Sequence, residues 1–327
     1  MFPLTRHDLL APHLPLTTRL YAWWEGYDID ALRERCEYQP RPDPFHPLPP
    51  LHKPGGLSGG KAGLKTGEHD RHGKPLWTAN RIEVAEKIWG DGFVSPSGAS
   101  VLPELLKPLG LNPSMSVLDL AAGLGGVGRM MVRDYGVWVS GLEASPILAE
   151  EGMARSIKAG LAKRAPVSHY NPEHFDLHRR FDAVFAKENF FQVKNKEGLV
   201  NGFTACLKPR GQLTFTDYVV PANPQKPDIL LTWIQREPQP PTPWTVDAWV
   251  HCLRRHQWDV RICEDITASH RHLIVEALAH LQVFLEEHSL DQATKTAVLE
   301  TVELWARREE ALRHDLRCYR FYALREH

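Results

Sequence analysis

The chain has 327 residues, 43% of them hydrophobic, which suits one large domain with appendages or two domains. Its 39 basic and 40 acidic residues leave a net charge of −1, which excludes a global pull toward nucleic acid or anionic membrane. Five scattered cysteines (Cys36, Cys206, Cys252, Cys263 and Cys318), without CxxC spacing, argue against a disulfide framework and against a zinc site, so no metal is expected.

The first stretch, MFPLTRHDLLAPHLPL, lacks the apolar core of a signal peptide, and no run approaches the ~18 apolar residues of a membrane span. A soluble cytoplasmic protein is the expectation. Residues 1–38 predict a short helical piece in which Trp23 and Trp24 act as packing anchors. Seven prolines then fall between Pro40 and Pro54, followed by a glycine-rich run, which predicts a linker or wrapping loop. Residues 1–78 are therefore expected to cover a domain that starts at residue 79.

Residues 79–110 predict a helix, a glycine-aromatic turn and a second helix that starts at Pro96-Ser97 and ends at Gly110. The stretch from Ser116 to Ser145 organises the rest. It predicts a strand over 117–120, a turn carrying Gly123, Gly125 and Gly126, a helix over 126–135 and a second strand ending at Glu143. Small residues between strand and helix let a ligand approach the backbone, with helix N–H groups aimed at it. A carboxylate at the end of the second strand suits a ribose. The spacing Gly123-x-Gly125-x-x-Gly128 also satisfies the dinucleotide fingerprint, which is weak alone. Asp119, just before the turn, would repel a pyrophosphate and attract a cationic ligand.

Ser145 and Pro146 predict the start of the next helix. A strand at 166–170, a turn at 171–173 and the strand in FDAVFAKENFF follow. The polar cluster Lys187-Glu188-Asn189 closes that strand, where open α/β sheets bind ligands. A helix over 197–207 leads to the strand GQLTFTDYVV. Residues 221–256 are proline-interrupted and aromatic, 258–267 predict a strand, 271–313 are helical, and LRCYRFYALRE closes the chain as a strand. Alternating strands and helices predict an α/β, Rossmann-like, doubly wound sheet with a C-terminal helical insertion at about 271–313.

Four ordered pieces of this pattern resemble class I S-adenosylmethionine-dependent methyltransferases over about residues 80–326. VLDLAAGLGG resembles the first motif, with Ala121 where glycine is usual. Glu143 matches the acidic residue that holds the cofactor ribose. FDAVFAKENFFQV resembles the fourth-motif strand, with Glu188 at the acidic position, and LKPRGQLTFTDYVV resembles the loop and fifth strand. The resemblance implies a seven-stranded sheet with a reversed last strand and S-adenosyl-L-methionine as cofactor. It implies a cofactor site of Asp119, Ala121, Gly123, Gly125, Glu143 and Glu188. Asn171 takes the adenine contact in place of the usual acidic residue, and Gln192 stands near the position of a common histidine. WGDGFVSPSG resembles a segment of the small-molecule branch, which includes phosphoethanolamine, sarcosine/dimethylglycine and sterol enzymes. There it walls the substrate pocket, which implies that role for Trp89, Phe93 and Ser95.

Methyl transfer from a sulfonium relies on positioning and desolvation, and a protonated amine must first lose its proton. Candidate groups are Asp217 and Tyr218 after the fifth strand, Glu188 after the fourth, and His270 or His272. Trp233 and Trp244 would join Trp89 and Phe93 in an aromatic cage for a cation. Arg254, Arg255, Arg261 and Arg271 offer a phosphate contact. The expected acceptor is a small metabolite, an amine ahead of a hydroxyl, with no nucleic acid partner and no membrane span; a homo-oligomer stays open. A methyltransferase acting on RNA or protein, a non-catalytic cofactor-binding protein and a nicotinamide oxidoreductase are the competing readings.

Overall fold

The structure is a computed structural model that describes residues 68–327 apart from 72, 97–100, 176, 288–289 and 326–327. The chain divides into two units, residues 1–65 and 66–327, and the described residues belong to the second. The expectations for residues 1–67, and for Ser97 as a helix start, lie outside the described residues.

Seven strands form one sheet in the order β3-β2-β1-β4-β5-β7-β6. They are β1 (Ser116–Asp119), β2 (Trp138–Glu143), β3 (Val167–His169), β4 (Phe181–Lys187), β5 (Leu207–Val219), β6 (Trp258–Asp265) and β7 (Arg317–Arg325). The first five run parallel, and β7 lies antiparallel to both β5 and β6. This is the class I methyltransferase arrangement, with the reversed last strand that the resemblance implied.

Period-two alternation explains why the central strands read as unbroken apolar runs. Leu118 and Val184 belong to one core cluster, with Phe203, Phe215 and Trp249, whereas their neighbours Val117 and Phe185 belong to another, with Leu105 and Met131. Both faces of the sheet are therefore covered, as parallel sheets require. Each large side chain so buried contributes about 1.5–3 kcal/mol.

The helices are α1 (Ala79–Trp89), α2 (Leu102–Leu106), α3 (Gly126–Tyr135), α4 (Pro146–Lys158), α5 (Lys196–Ala205), α6 (Pro227–Arg236), α7 (Val246–Arg255), α8 (Thr267–Glu287) and α9 (Gln292–Arg313). The first-motif unit matches its sequence reading over α3 and at the start of α4, because glycine and Ser145-Pro146 mark those boundaries. Three differences have local causes. The helix described before the sheet spans Leu102–Leu106, with Pro103 in its first turn, and Pro96 lies in a bend. Residues 221–256 hold two helices: Pro227 opens α6, and the Thr245 hydroxyl accepts the Ala248 N–H to cap α7. The helical tail splits into α8 and α9, where the Asp291 carboxylate accepts the Thr294 N–H at 2.9 Å. Among the described residues, no helix is long and apolar enough to cross a membrane.

Candidate active site

β1 ends on Asp119, which is fully buried beneath the glycine turn. One carboxylate oxygen accepts the Ala121 N–H at 3.1 Å, and the other has no partner among the described residues. Burial pushes this carboxyl up to about 7. Gly123 and Gly125 both take the left-handed conformation, at φ +53° and +76°, where other residues are strained. The next glycine meets the WGDGF loop directly. A Cβ on Gly126 would stand 2.5 Å from the Gly92 carbonyl oxygen, which accepts the Gly126 N–H at 3.1 Å.

Glu143 closes β2 beside this turn. Its two carboxylate oxygens accept the N–H of Gly123 at 2.7 Å and of Ser145 at 2.9 Å. Burial raises its pKa against those two bonds. The residues present fit a nucleoside sulfonium. They provide an orphaned buried carboxylate oxygen for positive charge, a glycine cradle, and a strand-end carboxylate with unused lone pairs for a diol.

A cavity of ≈ 200 Å³ opens over this turn and over the carboxyl end of β4. Ala121, Gly123, Glu143 and Ser145 form its floor, with Lys187 at the end of β4 and Glu188 and Asn189 just beyond it. Residues 68–78, the described end of the expected wrapping segment, supply Glu68, Leu76 and Trp77 to the wall. α9 closes it with one helical face, Thr301, Leu304, Trp305 and Arg308.

Glu188 has φ +40°, rare for a non-glycine residue and characteristic of functional positions. Its N–H donates to the Thr216 carbonyl at 2.8 Å, its Oε1 accepts the Thr216 hydroxyl at 2.9 Å, and its Oε2 pairs with Lys187. Lys187 also donates to the Pro96 carbonyl at 2.6 Å. Burial is the largest influence and would raise the Glu188 pKa, but Lys187, His270 and the Thr216 hydrogen bond together hold it below the ordinary value. Behind Glu188 lie His270, whose Nδ1 is 3.9 Å from Oε1, and Tyr218, whose hydroxyl is 2.9 Å from His270 Nε2. Burial lowers the His270 pKa to about 4, so the ring is neutral near pH 7, and it raises that of Tyr218 far above its usual range. Cys318 joins Glu188 and His270 in a cluster whose potential ligand atoms lie within 4.8 Å. Glu188 and His270 already have their protein partners there, and an ammonium group occupies the space beside the carboxylate.

Of the residues singled out from sequence, Ala121, Gly123, Glu143, Glu188 and Ser95 line the cavity. Asp119 lies under the turn, and Gly125 is its last residue before α3. Asn171 is exposed and caps a short 3-10 helix by accepting the Glu173 N–H at 3.0 Å. Trp89 packs edge-on to Trp305 at 4.7 Å, and Phe93 joins the core beneath α3, so both support the wall from behind. Trp233 and Trp244 are also set back: Trp233 donates to Glu237 at 2.7 Å, and Trp244 packs on Trp249 at 5.0 Å. Tyr218 and Asp217 are buried behind Phe191, which itself faces the cavity, and His270 is buried beside Tyr218. Asp217 Oδ1 accepts the Phe191 N–H at 2.9 Å, and burial raises its pKa. His272 is exposed. Arg255, Arg261 and Arg271 pair with Glu197, Asp259 and Glu309, and neither they nor Arg254 line the cavity.

Sequence reading missed Trp77, Phe191, Trp305, Arg308 and its partner Glu237. A helical i, i+3, i+4, i+7 pattern was available at 301, 304, 305 and 308, but it gives no hint of what the face meets.

Residues 97–304 match the methyltransferase-domain family. Phosphoethanolamine N-methyltransferase 1 of Zea mays is 31% identical over 151 residues, which is 46% of this chain and 30% of that protein. The glycine/sarcosine/dimethylglycine N-methyltransferase of Actinopolyspora halophila is 23% identical over 155 residues, 47% of this chain and 27% of that protein. The chain thus spans less than a third of the length of these curated relatives. A solved structure of Haemonchus contortus phosphoethanolamine N-methyltransferase 2, in complex with S-adenosyl-L-methionine, superposes with a TM-score of 0.64. It is 22% identical and covers 74% of this chain and 56% of that one.

Proposed function

The chain belongs to the methyltransferase-domain family, and we propose that it transfers a methyl group from S-adenosylmethionine to the amine nitrogen of a small metabolite. The observation that carries this reading is the juxtaposition, in one cavity, of the Glu143 and glycine-turn floor with a carboxylate and three aromatic walls. The N-methyltransferase relatives agree with it. Action in the cytoplasm, without nucleic acid as a partner, belongs to the same reading, as does a catalytic domain from residue 79 that is covered by the segment before it.

The cofactor, when bound, supplies an electrophilic methyl group on a sulfonium. Glu143 would hold the ribose hydroxyls, Asp119 would face the cationic portion from beneath the turn, and Asn171 would meet the adenine from the end of β3. Glu188, ionised and paired with Lys187, borders the cavity and orients the acceptor nitrogen. The aromatic walls Trp77, Phe191 and Trp305, whose rings already meet Arg81 or Arg308 at 4.7 to 6.0 Å, keep water away. Tyr218 and His270 are positioning residues that fix Glu188 from behind, and Asp217 fixes Phe191. Nucleophilic attack needs the neutral amine, so turnover climbs with pH until the bound amine's pKa is passed.

Two measurements test this reading. Calorimetry should show saturable S-adenosylhomocysteine binding, and an absence of binding by a folded chain rejects it. Labelled S-adenosylmethionine with size-fractionated cell extract should label a small product, and label confined to macromolecules rejects the small-molecule acceptor.

A further inference from the structure

Among the described residues, each cation that lines the cavity already faces a carboxylate of the protein. Lys187 pairs with Glu188, and Arg81 lies 4.0 Å from Glu300. Arg308 is engaged most completely. Its Nε and Nη2 donate to the two oxygens of Glu237 at 2.7 and 2.8 Å, and its guanidinium lies 4.7 Å from the Trp305 ring. Glu237 is only 1% exposed, and the Trp233 indole N–H gives it a third bond at 2.7 Å. Glu68 and Glu143 face the same cavity in addition. The fork that an arginine normally presents to a phosphate or carboxylate is thus filled from inside.

We infer that the methyl acceptor is an amine without a phosphate or carboxylate group, and that Glu237 sets this selectivity by occupying the anion position Arg308 would otherwise offer. The inference rests on the methyltransferase reading and narrows its substrate class. It separates this chain from relatives named for phosphoethanolamine and for glycine, sarcosine and dimethylglycine, all of which carry an anionic group. An anionic acceptor would meet a neutral ion pair and the uncompensated charge of nearby carboxylates. A cationic amine would meet net negative potential.

The test uses the full chain saturated with S-adenosylhomocysteine and titrated by calorimetry with ethanolamine and phosphoethanolamine, which differ only in the phosphate. The wild type should bind ethanolamine at least about tenfold more tightly, a difference of about 1.4 kcal/mol. Glu237→Gln, which frees the Arg308 fork, should tighten phosphoethanolamine binding by about tenfold or more. Wild-type preference for phosphoethanolamine overturns the inference, as does a folded Glu237→Gln variant that gains nothing. If the wild type binds neither probe, the gain in that variant decides alone. Should Glu237→Gln lose its cooperative melting transition, the Glu237→Gln/Arg308→Gln double variant replaces it. Phosphoethanolamine affinity should then stay at the wild-type level, and a roughly tenfold loss would show that Arg308 was free to hold an anion. A folded chain that binds no S-adenosylhomocysteine rejects the methyltransferase reading itself, which separates the two failures.

Discussion

The two ends of the cavity are built by opposite means. The floor under the expected cofactor comes from one continuous stretch, residues 119–145, and works largely through backbone: two left-handed glycines, the Gly123 and Ser145 amides and two strand-end carboxylates. The acceptor end is assembled from four distant stretches, around residues 68–95, 187–192, 237–239 and 301–308, and works through side chains. A backbone site is local and changes little when a neighbour is altered. A side-chain site made of long-range packing is also part of what holds the domain together, so stability and specificity are entangled there.

The largest expected effect tests that entanglement. Arg308→Gln leaves Glu237 buried without its cation, so melting should show a loss of about 3–5 kcal/mol. A melt unchanged from wild type would mean that the acceptor wall is not structural. The next effect depends on pH. His270 is neutral when folded, at about 4, against 6.5 in the unfolded chain, so the unfolded chain binds the extra proton between these values. Its contribution is full above about pH 6.5 and fades as pH falls toward 4, by roughly 3 kcal/mol. His270→Gln should flatten this part of the stability profile; an unaltered slope would place the titration elsewhere. Asp119 works in the opposite direction, because its folded pKa of about 7 means that stability declines as pH rises from 3.8 through 7.

On the cofactor side the effects should fall on binding. Glu143→Ala should weaken S-adenosylmethionine binding by about 1–3 kcal/mol in calorimetry while the melt shifts little. Equal losses in both would erase the contrast between the two ends. Tyr218→Phe is the mildest change: it removes one buried hydrogen bond to His270, worth about 0.5–1.5 kcal/mol. As a positioning change it should lower turnover and shift the pH–rate profile without altering cofactor affinity.

The same contrast decides what could be seen in the amino-acid sequence. The strand–turn–helix of residues 117–145 could be read to within one residue at its first strand, because glycine, proline and a serine cap fix backbone conformation locally. Glu188 could be placed because it ends a strand. Trp89, Phe93 and Trp233 looked like pocket walls because they are aromatic and near the right elements, yet each turns toward the core. Which way a side chain faces depends on packing partners far along the chain. Arg308 and Glu237 were invisible for the same reason: 71 positions separate them, and each alone resembles a solvated charge on a helix. The helices α6 and α7 were legible only through Pro227 and Thr245, inside a stretch whose prolines suggested loop.

The strand order also dictates a sequence of events in folding. β6 sits at the sheet edge with β7 as its strand neighbour, and β7 inserts antiparallel beside β5, more than a hundred positions away for pairs such as Gln212 and Leu324. The parallel half, β1 to β5, closes through shorter crossovers and can form first, since shorter loops cost less entropy to close. α9 leads directly into β7, so the acceptor wall is set only when that last strand docks. Until then β5 exposes an unpaired edge, the kind of surface that recruits other strands. Pulse-labelled hydrogen exchange should show amides of β1 to β4 protected before those of α9, with a transient in which the cofactor floor exists and the acceptor wall does not.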